Sequence, residues 1–163
     1  MVRLRKLEPS DLPFLYQWEN DAAVWADSDT HNPLSQQDLC IYIENTTGDI
    51  YRDGQLRLII EDDINHTTLG CVDLFDFDPR NRKAAIGLYV SPDARRSGVG
   101  YETMQLLEQY AFGILNLRLL YAVIRTSNRA CLSLYCLLGY EQTAVLPQWT
   151  LEGDACLLVK YNK

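Results

Sequence analysis

Leu88-Tyr89-Val90-Ser91-Pro92-Asp93-Ala94-Arg95-Arg96-Ser97-Gly98-Val99-Gly100 places two arginines and two glycines between the end of an apolar strand and the start of a helix. Such a junction is an anion site. The first amides of a helix have no partner inside it and point outward with the positive end of the helix dipole, while glycine lets a phosphate approach the backbone. The expected ligand is a phosphate or pyrophosphate. Two common nucleotide loops fail on spacing: a Walker loop needs Gly-Lys-Ser/Thr where this chain has Gly100-Tyr101-Glu102, and a dinucleotide fingerprint needs a third glycine at Thr103.

Working outward, residues 84–90 form the strand that feeds the turn, and a helix is expected over 98–113 with Val99, Leu106, Leu107 and Tyr110 available for burial. Residues 119–124 make the next strand. A helix over 128–138 stops at Gly139, ahead of two last strands near 140–146 and 155–161. In the other direction, 2–7 alternates apolar and polar as a first strand, Ser10 is a candidate cap for a helix carrying Leu12, Leu15, Tyr16 and Trp18, and 21–33 reads as a loop. Ser35 opens a second helix that fades at 45–48, and the runs 56–60 and 68–75 read as a hairpin. This order predicts an α/β fold with a mixed sheet of six to seven strands and about four helices, antiparallel in its first half with a parallel or splayed crossover in its second. Neither repeats nor linkers divide the chain, so one domain over 1–163 is expected.

The 163 residues include 15 Lys and Arg against 22 Asp and Glu, a formal net charge of −7. With 47% hydrophobic and 23% charged residues the chain can bury a sizeable core. The acidic balance argues against nucleic acid and anionic membranes, which need clustered positive charge, and favours a small cationic partner. Apolar runs fall short of the roughly 18 to 20 residues of a membrane helix, and the opening MVRLRKLEPSD lacks the core of a signal peptide, so a cytoplasmic setting is expected. The cysteines (Cys40, Cys71, Cys131, Cys136, Cys156) form no C-x-x-C pair, and His31 and His66 have no second ligand at metal-site spacing. Reduced thiols and no metal are the expectation.

A second stretch, Asn128-Arg129-Ala130-Cys131-Leu132-Ser133-Leu134-Tyr135-Cys136-Leu137-Leu138-Gly139-Tyr140, sets 128, 131 and 135 on one helix face at about 100° per residue. A polar amide and a phenol then line one groove. Together the two stretches resemble the Gcn5-related N-acetyltransferases, which move an acetyl group from acetyl-coenzyme A to an amine. The family's Gln/Arg-x-x-Gly-x-Gly/Ala signature stands as Arg95-Arg96-Ser97-Gly98-Val99-Gly100, and its later motif as Asn128, Cys131, Tyr135, Gly139 and Tyr140. Residues 70–84 and 151–155 look most like the spermidine and ribosomal-protein acetyltransferase branch.

The resemblance implies a centrally splayed sheet and acetyl-CoA as co-substrate, with no metal. It has the backbone of Leu88, Tyr89 and Val90 bonding the pantetheine arm, Arg95, Arg96, Ser97, Gly98, Val99 and Gly100 wrapping the pyrophosphate, and Asn128 touching the cofactor. Tyr135 would be the general acid. The acceptor would be a polyamine such as spermidine or another small cationic amine, held by Asp73, Asp76, Glu44 and Asp38, with Asp73 the first choice for relaying the amine's proton through water. Cys131 reads as packing, because no histidine is placed to activate it. Other readings stay open: a non-catalytic acyl-CoA sensor, a phosphate-binding module, or an aminoglycoside, protein N-terminus or amino acid as acceptor. A homo-oligomer, with a dimer first, is also expected.

Overall fold

Alternation of side chains along the strands builds two distinct faces, and the sheet is organised around them. The computed structural model describes residues 1–28 and 30–163. In chain order the elements are β1 (Val2–Lys6), α1 (Leu12–Glu19), α2 (Ala22–Trp25), α3 (Gln36–Asn45), α4 (Ile50–Asp53), β2 (Leu56–Asp62), β3 (Thr68–Asp78), β4 (Lys83–Val90), α5 (Val99–Glu108), β5 (Leu119–Arg125), α6 (Arg129–Leu137), β6 (Glu141–Thr150) and β7 (Gly153–Tyr161). The seven strands are ordered β1-β2-β3-β4-β5-β7-β6. On one face Val72, Leu74, Ala84, Ile86 and Leu120 pack with Met104 and Leu107 of α5 and Tyr135 of α6. On the other, Ile59 and Cys71 pack under Leu15, Trp18, Leu39 and Ile43 of α1 and α3.

All pairings are antiparallel except β4 with β5, which run parallel and meet only through Lys83↔Leu119, Ala84↔Leu120 and Ala85↔Tyr121. Beyond Ala85 the two strands separate. The expected mixed α/β sheet with an antiparallel first half and a splayed crossover is therefore what the chain forms.

Several local expectations are corrected. Ser10 lies within a 3-10 turn (Pro9–Asp11) and does not cap α1; Asp11 and Glu8 satisfy that entry instead, with the Glu8 N–H donating to Asp11 Oδ2 at 2.8 Å. The 21–33 loop holds a one-turn helix, α2, capped by Asp21, whose carboxylate accepts from the Ala23 N–H at 2.9 Å. Another one-turn helix, α4, was not expected. The helix over 98–113 is α-helical only to Glu108 and then widens into a π-turn (Gln109–Ile114), closed by Leu115 N–H to the Tyr110 carbonyl at 3.0 Å. Among the described residues the expected four helices are α1, α3, α5 and α6, with these two single turns added.

The first sheet edge is tied down by buried charge. Asp11 and Glu61 are 1% and 4% exposed, and Arg5 reaches both, donating to Asp11 at 2.8 and 2.9 Å and to Glu61 through Nε. Arg3 donates twice to the other Glu61 oxygen, Oε1, at 2.5 and 2.8 Å. Hydrogen bonds from Arg5, with those from Arg3 and His66, outweigh burial and hold the Glu61 carboxyl down at about 2. A carboxyl depressed on folding stabilises the fold above its unfolded value, and that stabilisation disappears as pH falls through the folded value. Glu61→Gln is expected to lose about 2 kcal/mol in urea unfolding at pH 7, with the gap from wild type shrinking between about pH 4.5 and 2.

Candidate active site

Past Ala85, β4 stays paired to β3 as far as Val90 and β5 stays paired to β7 as far as Arg125, so their facing edges form an open wedge. A free strand edge presents N–H and C=O groups to any extended chain that enters. At its mouth the chain turns through residues 91–98 into α5. Gly98, at φ 86°, is the residue before the helix, and a left-handed backbone there suits glycine. A Cβ on Gly98 would meet no heavy atom within 4 Å, so the outer side of the turn is open. The first bond of α5 runs from the Glu102 N–H to the Gly98 carbonyl at 3.1 Å, leaving the amides of Val99, Gly100 and Tyr101 at the exposed helix start. Gly100 serves a different need: a Cβ there would lie 3.3 Å from Leu134 of α6 and 3.7 Å from Leu88. These residues fit a pyrophosphate, which needs a glycine cradle and outward amides.

The arginines of the turn divide. Arg95 folds back, donating from Nε to the Val90 carbonyl at 2.9 Å with its guanidinium carbon 5.9 Å from the Tyr89 ring centre. Arg96, at φ 61°, remains exposed. The Ser97 hydroxyl donates to the Ala94 carbonyl at 2.6 Å and fastens the turn internally. Across the wedge, Asn128 precedes α6, its side-chain oxygen accepting from the Cys131 N–H at 3.3 Å, which leaves its NH₂ for a ligand. Tyr135 is 2% exposed. Burial above all, then Cys131 and Glu108, pushes its phenol well above the ordinary tyrosine range, so the proton stays on oxygen at neutral pH. Burial likewise pushes the Cys131 thiol up to about 11, with Asp27 adding to it, and the thiol stays protonated.

On the opposite face, Asp73 lies over Gly87, where a Cβ would sit 3.8 Å from Asp73 Oδ2. Both of its oxygens accept from Arg57, each at 2.7 Å, and Arg57 also donates to Glu19 at 2.6 Å with its guanidinium carbon 5.8 Å from the Tyr42 ring centre. The other expected acids are scattered. Asp38 accepts from the Ser35 N–H at 2.9 Å in the capping box of α3, and the bonds from Ser35 lower its carboxyl. Glu44 is exposed on α3. Asp76 is exposed in a bulge of β3 at φ 46°, on the side of Tyr121, where β4 and β5 are still paired.

Two groupings escaped the sequence reading. Glu19, Arg57 and Tyr42 surround Asp73, and the signal was available, since the hairpin sets Arg57 directly opposite Asp73 as a cross-strand charge pair. Arg125, the last residue of β5, donates to Asp27 at 2.7 Å and to Glu152, joining the segment after α2 to the β6–β7 turn. That contact joins three distant parts of the chain and has no local signature.

Residues 2–141 match the family model described as an acetyltransferase (GNAT) domain. The chain is 28% identical over 143 residues to the spermidine N(1)-acetyltransferase of Escherichia coli (strain K12), covering 86% of this chain and 73% of that protein. Among solved structures, the spermidine N-acetyltransferase from Vibrio cholerae in complex with CoA and spermine superposes with a TM-score of 0.88 at 21% identity, over 99% of this chain and 95% of that one. A dodecameric structure of the Vibrio cholerae enzyme gives 0.83 at 22% identity, over 99% and 94%. These superpositions are a likeness of fold. Among the described residues no helix is long and apolar enough to cross a membrane. With its family model spanning most of its length, the chain belongs to the GNAT acetyltransferases and is an acetyl-CoA-dependent N-acetyltransferase.

Proposed function

We propose that this chain acetylates a primary amine of a polyamine such as spermidine, by direct transfer with both substrates bound. The carrying observation is that Asp73, backed by Arg57 and Glu19, overlies Gly87 beside the free edge of β4, so that a carboxylate and an open strand edge adjoin. The relatives named for spermidine support the choice of acceptor.

In this reading the backbone of Leu88, Tyr89 and Val90 aligns the pantetheine arm as an added strand, and a β4 amide near Leu88 polarises the thioester carbonyl. Residues 95–100 take the pyrophosphate: Arg96 and the amides at the start of α5 face it, while Arg95 braces Tyr89 and Val90. Asn128 adds one donor. An amine with a pKa near about 10 arrives mostly charged, so Asp73 holds the ammonium and takes its proton through a bridging water, freeing the nitrogen lone pair to attack. Transfer forms the N–C bond and breaks the C–S bond, and the Tyr135 Oη–H supplies the proton that the departing sulfur needs. Asp38 caps α3, and Glu44 and Asp76 stand away from the reacting atoms. A homo-oligomer in the cytoplasm belongs to the same reading.

An acetylation assay with acetyl-CoA and a panel of amines tests the assignment: spermidine or spermine is expected to turn over faster than aminoglycosides, amino acids or peptide N-termini, and the absence of any polyamine product would reject it. Gly98→Asp directs a carboxylate at the pyrophosphate site and is expected to weaken acetyl-CoA binding at least about tenfold in calorimetry, whereas Gly98→Asn, equally tolerant of the left-handed backbone, loses much less. Tyr135→Phe should lower kcat about tenfold or more while the Kd for acetyl-CoA changes less than about twofold. For Asp73→Asn the expectation is a rise in the KM for spermidine larger than any change in the KM for acetyl-CoA, measured by varying each substrate at saturation of the other.

A further inference from the structure

Lys160 on β7 turns under α6 and away from bulk water. Its Nζ donates to Glu108 Oε2 at 2.6 Å and to the Leu138 carbonyl at 2.7 Å, and lies 5.6 Å from the centre of the Tyr140 ring. Glu108 is the last residue of α5, and its side chain is 12% exposed against 27% for Lys160. Tyr140 stands edge-on to Tyr135 with ring centres 4.9 Å apart, and its N–H donates to the Tyr135 carbonyl at 3.0 Å. The Tyr140 hydroxyl and Glu108 Oε1 are both buried, one a donor and the other an acceptor, and Glu108 lies within reach of that hydroxyl. One cation therefore joins α5, the end of α6 and β7 directly behind Tyr135.

A largely buried ion pair is a poor choice for stability alone. Desolvation offsets most of its attraction, and apolar side chains of equal volume serve as well or better; only the loss of one partner is costly. We propose that Glu108 and Lys160 are positioning residues for Tyr135, acting through the Tyr140 ring packed between them: Lys160 pairs the Glu108 carboxylate that lies behind the phenol, so that the phenol does not face a bare negative charge. This rests on Tyr135 being the proton donor. Burial is the main cause that keeps both phenols protonated, and in each the nearby Glu108 charge acts in the same direction. Lys160, 2.6 Å from Glu108, pairs that charge.

The test is a set of variants made both in the wild-type chain and in Tyr135→Phe, with kcat, the KM for acetyl-CoA and the thermal midpoint read for each. Lys160→Met leaves Glu108 unpaired and is expected to lower kcat about tenfold with KM within about twofold. Glu108→Gln combined with Lys160→Met leaves no unpaired charge and is expected to restore kcat to within about threefold of wild type. In the Tyr135→Phe background Lys160→Met should change kcat less than about twofold, because the proton it acts on is gone. An equal loss in both backgrounds, or no recovery in the double variant, overturns the proposal and leaves the acid role of Tyr135 intact. Unchanged kcat in Tyr135→Phe alone overturns the acid role and this inference with it. If Lys160→Met does not fold, Lys160→Gln removes the charge but keeps a donor, and the same outcomes apply.

Discussion

The short parallel contact between β4 and β5 is the constraint from which the rest follows. Each strand is held along its far side, β4 by β3 and β5 by β7, so the two antiparallel units are fixed independently and diverge once Ala85 and Tyr121 are passed. The divergence leaves strand groups of β4 and β5 without a strand partner in the middle of a sheet, at the half-buried residues 87–90. An extended ligand with its own amides can pair with such an edge. The start of α5 lies at the mouth of the wedge because β4 runs straight into it, which brings an anion site to one end of the same groove.

Strand alternation then assigns the two sides of the groove to different chemistry. Val72, Leu74, Ile86 and Leu88 pack toward α5 and α6, where Tyr135 is dry and protonated. Arg57, Asp73 and Gly87, pointing the other way, lie with Glu19 on the side of α1. Asp73 and the Tyr135 phenol therefore stand on opposite faces of the strands that border the groove.

The parts of this arrangement that were legible in the sequence are those whose cause is local. The strands followed from alternation, and the turn at 95–100 from its glycines. Asp38 has a local cause of its own, because Ser35-Gln36-Gln37-Asp38 is the pattern of a capping box and its carboxylate accepts from the Ser35 N–H. What escaped was register and geometry. Arg57 is the one charge in the apolar run 56–60, and its partner becomes visible only when β2 is laid against β3 with Leu58 opposite Val72. The wide turn at Gln109–Ile114 keeps the same apolar residues as an ordinary helix end and differs only in its hydrogen bonds. Arg125 and Lys160 join elements far apart in the chain, which periodicity does not report.

Charge, finally, is distributed more sharply than a net −7 suggests. Arg3, Arg5, Arg57, Arg125 and Lys160 are each paired with carboxylates, and Arg95 is turned onto Val90 and Tyr89. Within the turn this leaves Arg96 and the helix start to meet a polyanion. Fixed amides make up much of that site, and they are already aimed before the ligand arrives, whereas an exposed arginine must first be ordered and is screened by salt. The glycine at 98 leaves the outer side of the turn open beside those amides.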